Sequence, residues 1–362
     1  MGTQKFLKWH NHTIGVINGK NQVKFINTSL NPVVHTYTNG KTEWTAGEYR
    51  EFLIERIPSR NRRDIEKILF RCGLVDYDEV KIAEVTRALN ARDLFWIAFK
   101  ENEIMEEIID GVLDQIFIKK VDVDGGSVIS PEGINIKRYG VSKGYYGIYK
   151  KRLHPMSTDI ESEVAVYELS KILGVKCCPA WLVPNRNDTI AFSKFEYNFA
   201  EEYIIHARRF FREGERTENE YKNLINKLPA FKIDIQRMII LDFVTRQTDR
   251  HLSNLAVLLN RNGAYLYSLY DNGRSLFHED SERFINEAIN NIELYSSEFG
   301  PVGTYFDYVQ DISKDINIKK LVNLNIPKDS IYKIYKNADL QEHKLEGATE
   351  WTYRTLCMLK KL

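Results

Sequence analysis

Three oxygen-bearing side chains in one stretch of the chain are the first candidates for chemistry. Residues 249–254 read Asp-Arg-His-Leu-Ser-Asn, and a second acid, Asp271, follows in Tyr270-Asp271-Asn272-Gly273. Two carboxylates and an amide make an oxygen-only donor set, which suits a hard cation such as Mg²⁺. The segment between Asn254 and Asp271 is expected to fold them together. Residues 255–259 and 264–270 are apolar and aromatic runs, and Asn262-Gly263 between them is a strong hairpin signal. A two-residue loop there pairs Arg261 with Ala264 and sets Asn254 opposite Asp271, with Cα atoms ~4.5–5.5 Å apart.

That set fits phosphoryl transfer, in which one Asp orients the accepting hydroxyl while an Asn and a later Asp hold metal ions on the nucleotide. In this order Asp249 is the base, and Asn254 and Asp271 are the metal ligands. Any one of the three taken alone is an ordinary turn or strand-end residue. The order of all three across an Asn-Gly hairpin carries the reading.

The elements that must position these groups are legible in part. The 362 residues carry a net charge of +1 with 28% charged, 43% hydrophobic and 12% aromatic residues. This describes a well-packed globule of two domains or one bilobal domain, without a field that advertises nucleic acid or membrane. The N-terminus has no apolar signal-peptide core and no run approaches membrane-spanning length, so a cytoplasmic location is expected. The cysteines, Cys72, Cys177, Cys178 and Cys357, form no CxxC pair and read as reduced thiols, and a structural zinc site is not expected.

Residues 13–18, 23–27 and 33–38 read as short strands between Gly, Asn and Pro punctuation. Residues 46–56 are helical; Ser59 or Asn61 caps a further helix that runs to Gly73, and 78–89 carries helical spacing. Arg60, Arg62 and Arg63 read as a solvated first turn. A polar, glycine-bearing change at 121–127 marks the boundary between an accessory domain, 1–125, and a second domain, 126–362.

In that second domain, Ser130-Pro131-Glu132-Gly133 leads through Lys137 to the strand Tyr145–Lys150. A strand, a Gly-containing turn and a strand would roof a nucleotide site with backbone N–H groups. Gly133 alone falls short of a full glycine-rich fingerprint. Asp159–Leu173 is a helix capped by Asp159 or Ser157 and stopped by Gly174. Lys150 and an acid of the first helical turn, which holds Glu161 and Glu163, would form the Lys–Glu pair that holds ATP phosphates. Residues 180–183 and 189–192 are two strands. The chain leaves them through Ser193-Lys194-Phe195-Glu196, where backbone groups would bond adenine and Glu196 ribose hydroxyls. Residues 208–227 are charged and read as solvated. The apolar run 233–243 is a buried helix that delivers Asp249.

These residues resemble the HipA-like serine/threonine kinases of bacteria, a branch of the protein-kinase-like superfamily. The resemblance rests on Ser130/Gly133/Lys137, Lys150, Glu163, Asp249/His251/Asn254 and Tyr270-Asp271, and covers roughly residues 126–275. Residues 50–97 are similar to the N-terminal part of Gram-positive HipA-like proteins.

It implies an α+β, bilobal protein-kinase-like fold with an N-terminal β-rich plus helical accessory domain. The small lobe spans about 126–195 and the helical lobe about 196–362. It also implies a Mg²⁺- and ATP-dependent kinase acting on a Ser or Thr hydroxyl of a protein, as a growth-arresting toxin. Lys150 would contact phosphates, with Glu163 orienting it. The backbone at Ser193 and Phe195 would hold adenine, with Glu196 near ribose, and His251 would shape the catalytic loop. Ser130 matches a family site of autophosphorylation, where added charge would expel the loop and switch the enzyme off.

Gln247 stands where the family has Asn, which leaves the loop's internal hydrogen bonding open. The divergent N-terminal region allows an antitoxin partner without requiring one, and direct nucleic-acid binding is not expected. A small-molecule or lipid phosphotransferase of related fold is the alternative. A non-catalytic nucleotide-binding module in a repressor complex is the second alternative.

Overall fold

The structure is a computed structural model that describes residues 4–109, 136–186, 188–198, 201–211, 220–298 and 302–362. Its mixture of sheets and helices makes it an α+β protein. The chain divides into two units: Met1–Lys151 with Tyr197–Tyr203, and Arg152–Glu196 with Ile204–Leu362. The change expected at 121–127, and the loop bearing Ser130 and Gly133, lie outside the described residues.

The first unit opens with β1 (Lys5–Trp9), β2 (His12–Ile17), β3 (Val23–Phe25), β4 (Glu43–Trp44) and β5 (Phe95–Ala98). They form one antiparallel sheet in the order β4-β3-β2-β1-β5. Aromatic rings fill its core: Trp9 meets Phe95 edge-on at 4.8 Å, and Phe52 meets Phe95 at 5.5 Å. The buried Arg56 pairs with Asp93 and lies 4.3 Å over the Phe52 ring.

Four local readings are corrected in this unit. Residues 33–38 belong to a helix, Pro32–Thr38, rather than a strand. The Asn31 side chain accepts from the Val34 N–H, Pro32 sits in the first turn, and these end signals outweigh the β-branched pair. The helix after Ala46–Ile54 is Ile65–Arg71, preceded by Asp64 rather than Ser59 or Asn61. Asp64 makes no capping bond because its carboxylate is committed to Arg62 and Arg138. Arg62 is therefore buried rather than solvated, while Arg60 and Arg63 are exposed. The helix expected over 78–89 is shorter, Glu79–Val85, because Arg87 and Ala88 turn left-handed at φ 56° and 51°.

The unit also contains a hairpin of β6 (Lys137–Ser142) and β7 (Tyr145–Lys150). Its turn residues, Lys143 and Gly144, both have positive φ (51° and 81°), the condition for a type I′ turn that matches strand twist. The register sets Lys137 directly opposite Lys150.

The second unit begins with the helix Asp159–Leu173, ended by Gly174 at φ 79°. Its N-cap is Thr158, without a side-chain cap. Ser157 Oγ accepts from the Asp159 N–H at 3.3 Å, and the Asp159 carboxylate accepts from the Leu153 N–H at 3.0 Å. An antiparallel hairpin follows, β8 (Ala180–Asn185) with β9 (Asp188–Lys194). Next come β10 (Tyr203–His206), β11 (Ala256–Asn260) and β12 (Gly263–Leu266), a small sheet in that order. The helices Glu220–Lys227, Lys232–Thr245, Glu282–Asn290, Tyr305–Asp315, Lys328–Asn337 and Glu342–Leu359 complete the unit. In the first of these Tyr221 and Leu224 are buried, so that part of 208–227 is packed rather than solvated.

The core of this unit forms where the helix Lys232–Thr245 meets Glu342–Leu359. Trp351 donates its indole N–H to the Phe243 carbonyl at 3.0 Å, and Thr352 donates to Val244 at 3.1 Å. These bonds lock the helix C-terminus from which residue 249 departs. Among the described residues, no helix is long and apolar enough to cross a membrane.

The hairpin register also differs from expectation. Asn260 pairs with Gly263 and Val257 with Leu266, so the loop is Arg261-Asn262, one residue earlier than expected, and each cross-strand partner shifts by two residues. The Asn260 side chain accepts from the Asn262 N–H at 2.9 Å, and only Gly263, at φ 133°, takes a positive φ. That Asx turn displaces the type I′ turn, which needs two left-handed residues. Asn254 is therefore not the ladder partner of Asp271. Beyond β12 the chain leaves β11 and bridges Leu269 to Cys177 in parallel.

Candidate active site

The helix Lys232–Thr245 ends at Arg246, which is left-handed at φ 52° and donates its N–H back to Asp242 and Phe243. The turn that follows carries Gln247 to Asn254 across the second unit. Its centre is Arg250, a fully buried guanidinium. Arg250 donates to both oxygens of the buried Asp242 carboxylate, at 3.0 and 3.1 Å. One nitrogen, Nη1, also donates to the carbonyls of Asn254 (3.2 Å) and Tyr270 (2.8 Å), while Nη2 reaches Asn272 Oδ1 at 2.6 Å. One planar fork thus fastens the helix end, the loop bearing Asp249 and Asn254, and the segment bearing Asp271. Burial alone would lower the Arg250 pKa, but the Asp242 charge outweighs it and the net direction is up, which holds the cation.

Gln247 performs the internal bonding that its departure from the family pattern left open. Its amide nitrogen donates to the Asp271 carbonyl at 3.3 Å and its oxygen accepts from the Asp249 N–H at 3.0 Å. Asn254 donates Nδ2 to the Asp249 carbonyl at 2.8 Å, which leaves its amide oxygen as the atom to offer a cation. Asp271 sits at φ 56°, a conformation that Asp tolerates better than most residues. Here the extended segment stops.

The Asp249 carboxylate is about one-fifth exposed, with Arg274 Nε 3.6 Å from one oxygen and His251 Nε2 3.7 Å from the other. The other ring nitrogen, Nδ1, accepts from the Ser253 N–H at 3.2 Å and caps the short turn Leu252–Asn254. Tyr270 closes the arrangement, donating its hydroxyl to the Ser253 carbonyl at 2.8 Å.

The irregular segment after Asp271 runs against the Asp159–Leu173 helix. A Cβ on Gly273 would lie 2.9 Å from the Asp159 carbonyl oxygen, so only glycine fits without a shift. Ser162 donates to the Ser275 carbonyl at 3.0 Å, and the Thr158 N–H donates to His278 at 2.9 Å. On this helix the buried Glu163 carboxylate accepts from Ser193 Oγ of β9 at 3.0 Å.

At the end of β9, Glu196 accepts from Ser268 Oγ at 2.6 Å and its backbone N–H donates to Tyr267 Oη at 3.0 Å. Phe195 is half-buried. The Cys178 N–H donates to the Leu269 carbonyl at 2.8 Å and its thiol lies 3.4 Å from Tyr267 Oη. Cys177 and Cys178 are free and buried, and burial raises the Cys177 thiol to about 12 and the Cys178 thiol further. These thiols are packing groups rather than nucleophiles.

Asp249, His251, Asn254 and Asp271 thus gather around Arg250, while Glu163 meets Ser193 and Glu196 meets Ser268, all within the second unit. Lys137 and Lys150 belong to the first unit, and Ser130 and Gly133 lie outside the described residues. No group of three or more His, Cys, Asp or Glu among the described residues could hold a metal. Asn254 and Asp271 would offer two oxygen-bearing side chains, a number that leaves room for phosphate and water around a hard cation such as Mg²⁺. Arg250, Asp242 and Asn272 were missed by sequence reasoning. A signal for them exists: Asp242 is the lone acid in the apolar run Met238-Ile239-Ile240-Leu241-Asp242-Phe243-Val244 and demands a cationic partner.

Protein-family models and curated protein sequences both fail to match the chain. Solved structures do match. The Helicobacter pylori proinflammatory kinase CtkA aligns at a TM-score of 0.53 with 15% identity, over 68% of this chain and 94% of its own. HipA of Shewanella oneidensis MR-1, from the toxin–antitoxin complex of HipA, HipB and operator DNA, aligns at 0.55 with 11% identity, over 99% and 97%. The chain has the HipA-like, protein-kinase-like fold.

Proposed function

We propose that this chain is an ATP- and Mg²⁺-dependent serine/threonine protein kinase of HipA type that arrests growth as the toxin of a toxin–antitoxin pair. The observation that carries the reading is the bonding of Arg250 to the carbonyls of Asn254 and Tyr270, beside Asp249 and Asp271. Phosphoryl transfer needs positioning and charge stabilisation more than covalent chemistry, and a buried, fully committed guanidinium supplies rigid positioning.

In this reading Asp249 accepts a hydrogen bond from the Ser or Thr hydroxyl and directs it in line with the γ-phosphate. Its orientation comes from Gln247 at its N–H, Asn254 at its carbonyl, and Arg274 and His251 beside its carboxylate. Asn254 Oδ1 and the Asp271 carboxylate would hold the metal, which when bound neutralises phosphate charge. Lys150 would contact the phosphates and Glu163 orient it; the backbone at Ser193 and Phe195, with Glu196, would take adenine and ribose. Ser130 would be the site of self-inhibition by autophosphorylation. The solved HipA complex contains HipB and operator DNA, which supports an antitoxin partner for this chain as part of the proposal.

The test is transfer of labelled phosphate from ATP to protein extract and to small-molecule pools. The wild type should label protein, and Asp249→Asn and Asp271→Asn should each abolish the label. Wild-type activity in both variants would overturn the assignment. Label confined to small molecules would move the acceptor, and nucleotide-dependent stabilisation without turnover would favour a binding module.

A further inference from the structure

Residues 62–64 reach the start of β6 by a route the sequence did not disclose. Arg62, buried, donates Nε to Asp64 Oδ1 at 2.7 Å, and Arg138 Nη2 donates to the other Asp64 oxygen at 2.6 Å. Both guanidiniums then donate to one atom, the Lys137 carbonyl oxygen, with Arg138 Nη1 at 2.9 Å. All these residues lie in the first unit. A carbonyl with two charged donors is held far more firmly than one in an ordinary ladder bond.

The strand pattern gives this clamp a purpose. Successive residues of a strand face opposite sides, so Arg138 and Lys137 point to opposite faces of the β6–β7 hairpin. Lys150 stands directly opposite Lys137, and its side chain shares the Lys137 face. The clamp therefore fixes the backbone at the start of β6, while the largely buried Lys137 and Lys150 side chains lie on the face opposite Arg138. A phosphate between those lysines would be attracted by both, and its affinity depends on their separation.

We propose that Arg62 is a positioning residue for nucleotide phosphates: through the Lys137 carbonyl it sets the start of β6, and with it the Lys137–Lys150 pair. The inference rests on the phosphotransfer reading above, because that reading assigns Lys150 to the phosphates. It gives the N-terminal region a role inside the ATP site rather than only as an appended module. Arg62 does not touch the ligand. Its partner Asp64 keeps Arg138 when Arg62 is replaced, so the substitution leaves no buried carboxylate without a cation.

The experiment compares the full-length wild type with Arg62→Met and Arg62→Lys, by titrating ADP and adenosine separately and by measuring KM for ATP and kcat. In Arg62→Met the affinity for ADP should fall by about tenfold, the scale of one charge-assisted bond. Affinity for adenosine should hold, and KM should rise with kcat nearly unchanged. General damage to the fold would lower the bound fraction for both ligands, and that result overturns the proposal. Arg62→Lys keeps the charge without the planar fork and should show the same ADP-specific loss. It decides the matter should the Met variant fail to fold, and wild-type ADP affinity in it refutes the inference. A wild type that binds neither ligand sinks the phosphotransfer reading itself, and this inference with it.

Discussion

Arg250 and Asp242 permit a test in which stability and activity separate. Arg250→Met removes a guanidinium whose side chain is 1% exposed and strands the Asp242 carboxylate, which is 0% exposed. Removing one partner of such a pair costs about 3–5 kcal/mol, a large share of the roughly 5–15 kcal/mol that holds a domain together. Adding Asp242→Leu removes the stranded charge, and replacement of a whole buried pair by apolar groups of similar size is often neutral. The double variant should therefore recover at least about 2 kcal/mol relative to Arg250→Met, measured as a coupling energy in a double-mutant cycle of urea unfolding. Phosphate transfer should not recover with it. The carbonyls of Asn254 and Tyr270 and the amide of Asn272 still lack their common donor, and loss of that alignment should leave transfer down by about 100-fold. Additive unfolding energies would refute the buried pair. A double variant with wild-type transfer would refute the alignment role of Arg250.

Two further outcomes follow from groups around the same loop. Burial, with Arg274, Lys344 and Arg246 nearby, lowers the His278 pKa from 6.5 to about 4, against the opposing pull of Glu279. The unfolded chain then binds this proton first, so stability is full above about pH 6.5 and is lost as pH falls toward about pH 4. The contribution is on the order of 1–3 kcal/mol; urea titrations across that window should show a slope that His278→Gln flattens, and an unchanged slope would contradict the assignment. Gly273→Ala places a methyl group against the Asp159 carbonyl and should cost about 1–3 kcal/mol in a thermal or urea melt. A melt identical to wild type would show that this contact has slack.

The legible parts of the fold are those whose ends carry local chemistry. The strand Tyr145–Lys150 and the helix Asp159–Leu173 have the bounds that Lys143-Gly144 and Gly174 announce, because turn and cap residues act within a few positions. The same locality misled the β11–β12 hairpin, where Asn260 competes with Asn262-Gly263 for the turn and wins by one residue. Pro32–Thr38 shows two local signals in conflict, with the Asn-Pro start prevailing over the valines.

At the candidate site, the oxygen-bearing residues stand out by type and order, but their support does not. Arg62 pairs with Asp64 two positions away, yet Asp64 also pairs with Arg138 far along the chain, and periodicity carries no trace of that partner. Arg250 and Asp242 lie on either side of a helix end, where the reversal at Arg246 brings them together. A buried charge is legible as a need before its partner is legible as a residue.

The segment from Tyr267 to Asp271 has one more consequence. It is tied to Glu196 through Tyr267 and Ser268, to Cys177 and Cys178 through Leu269, and to Arg250 through Tyr270. In the proposed reading its start marks the ribose and its end the metal. Three residues of nearly extended chain from Ser268 to Asp271 amount to roughly 10 Å, at about 3.3 Å each. In that reading the segment is a tape measure fastened at every graduation, and a nucleotide would be gauged by the span between its sugar and its charged end before any reaction begins.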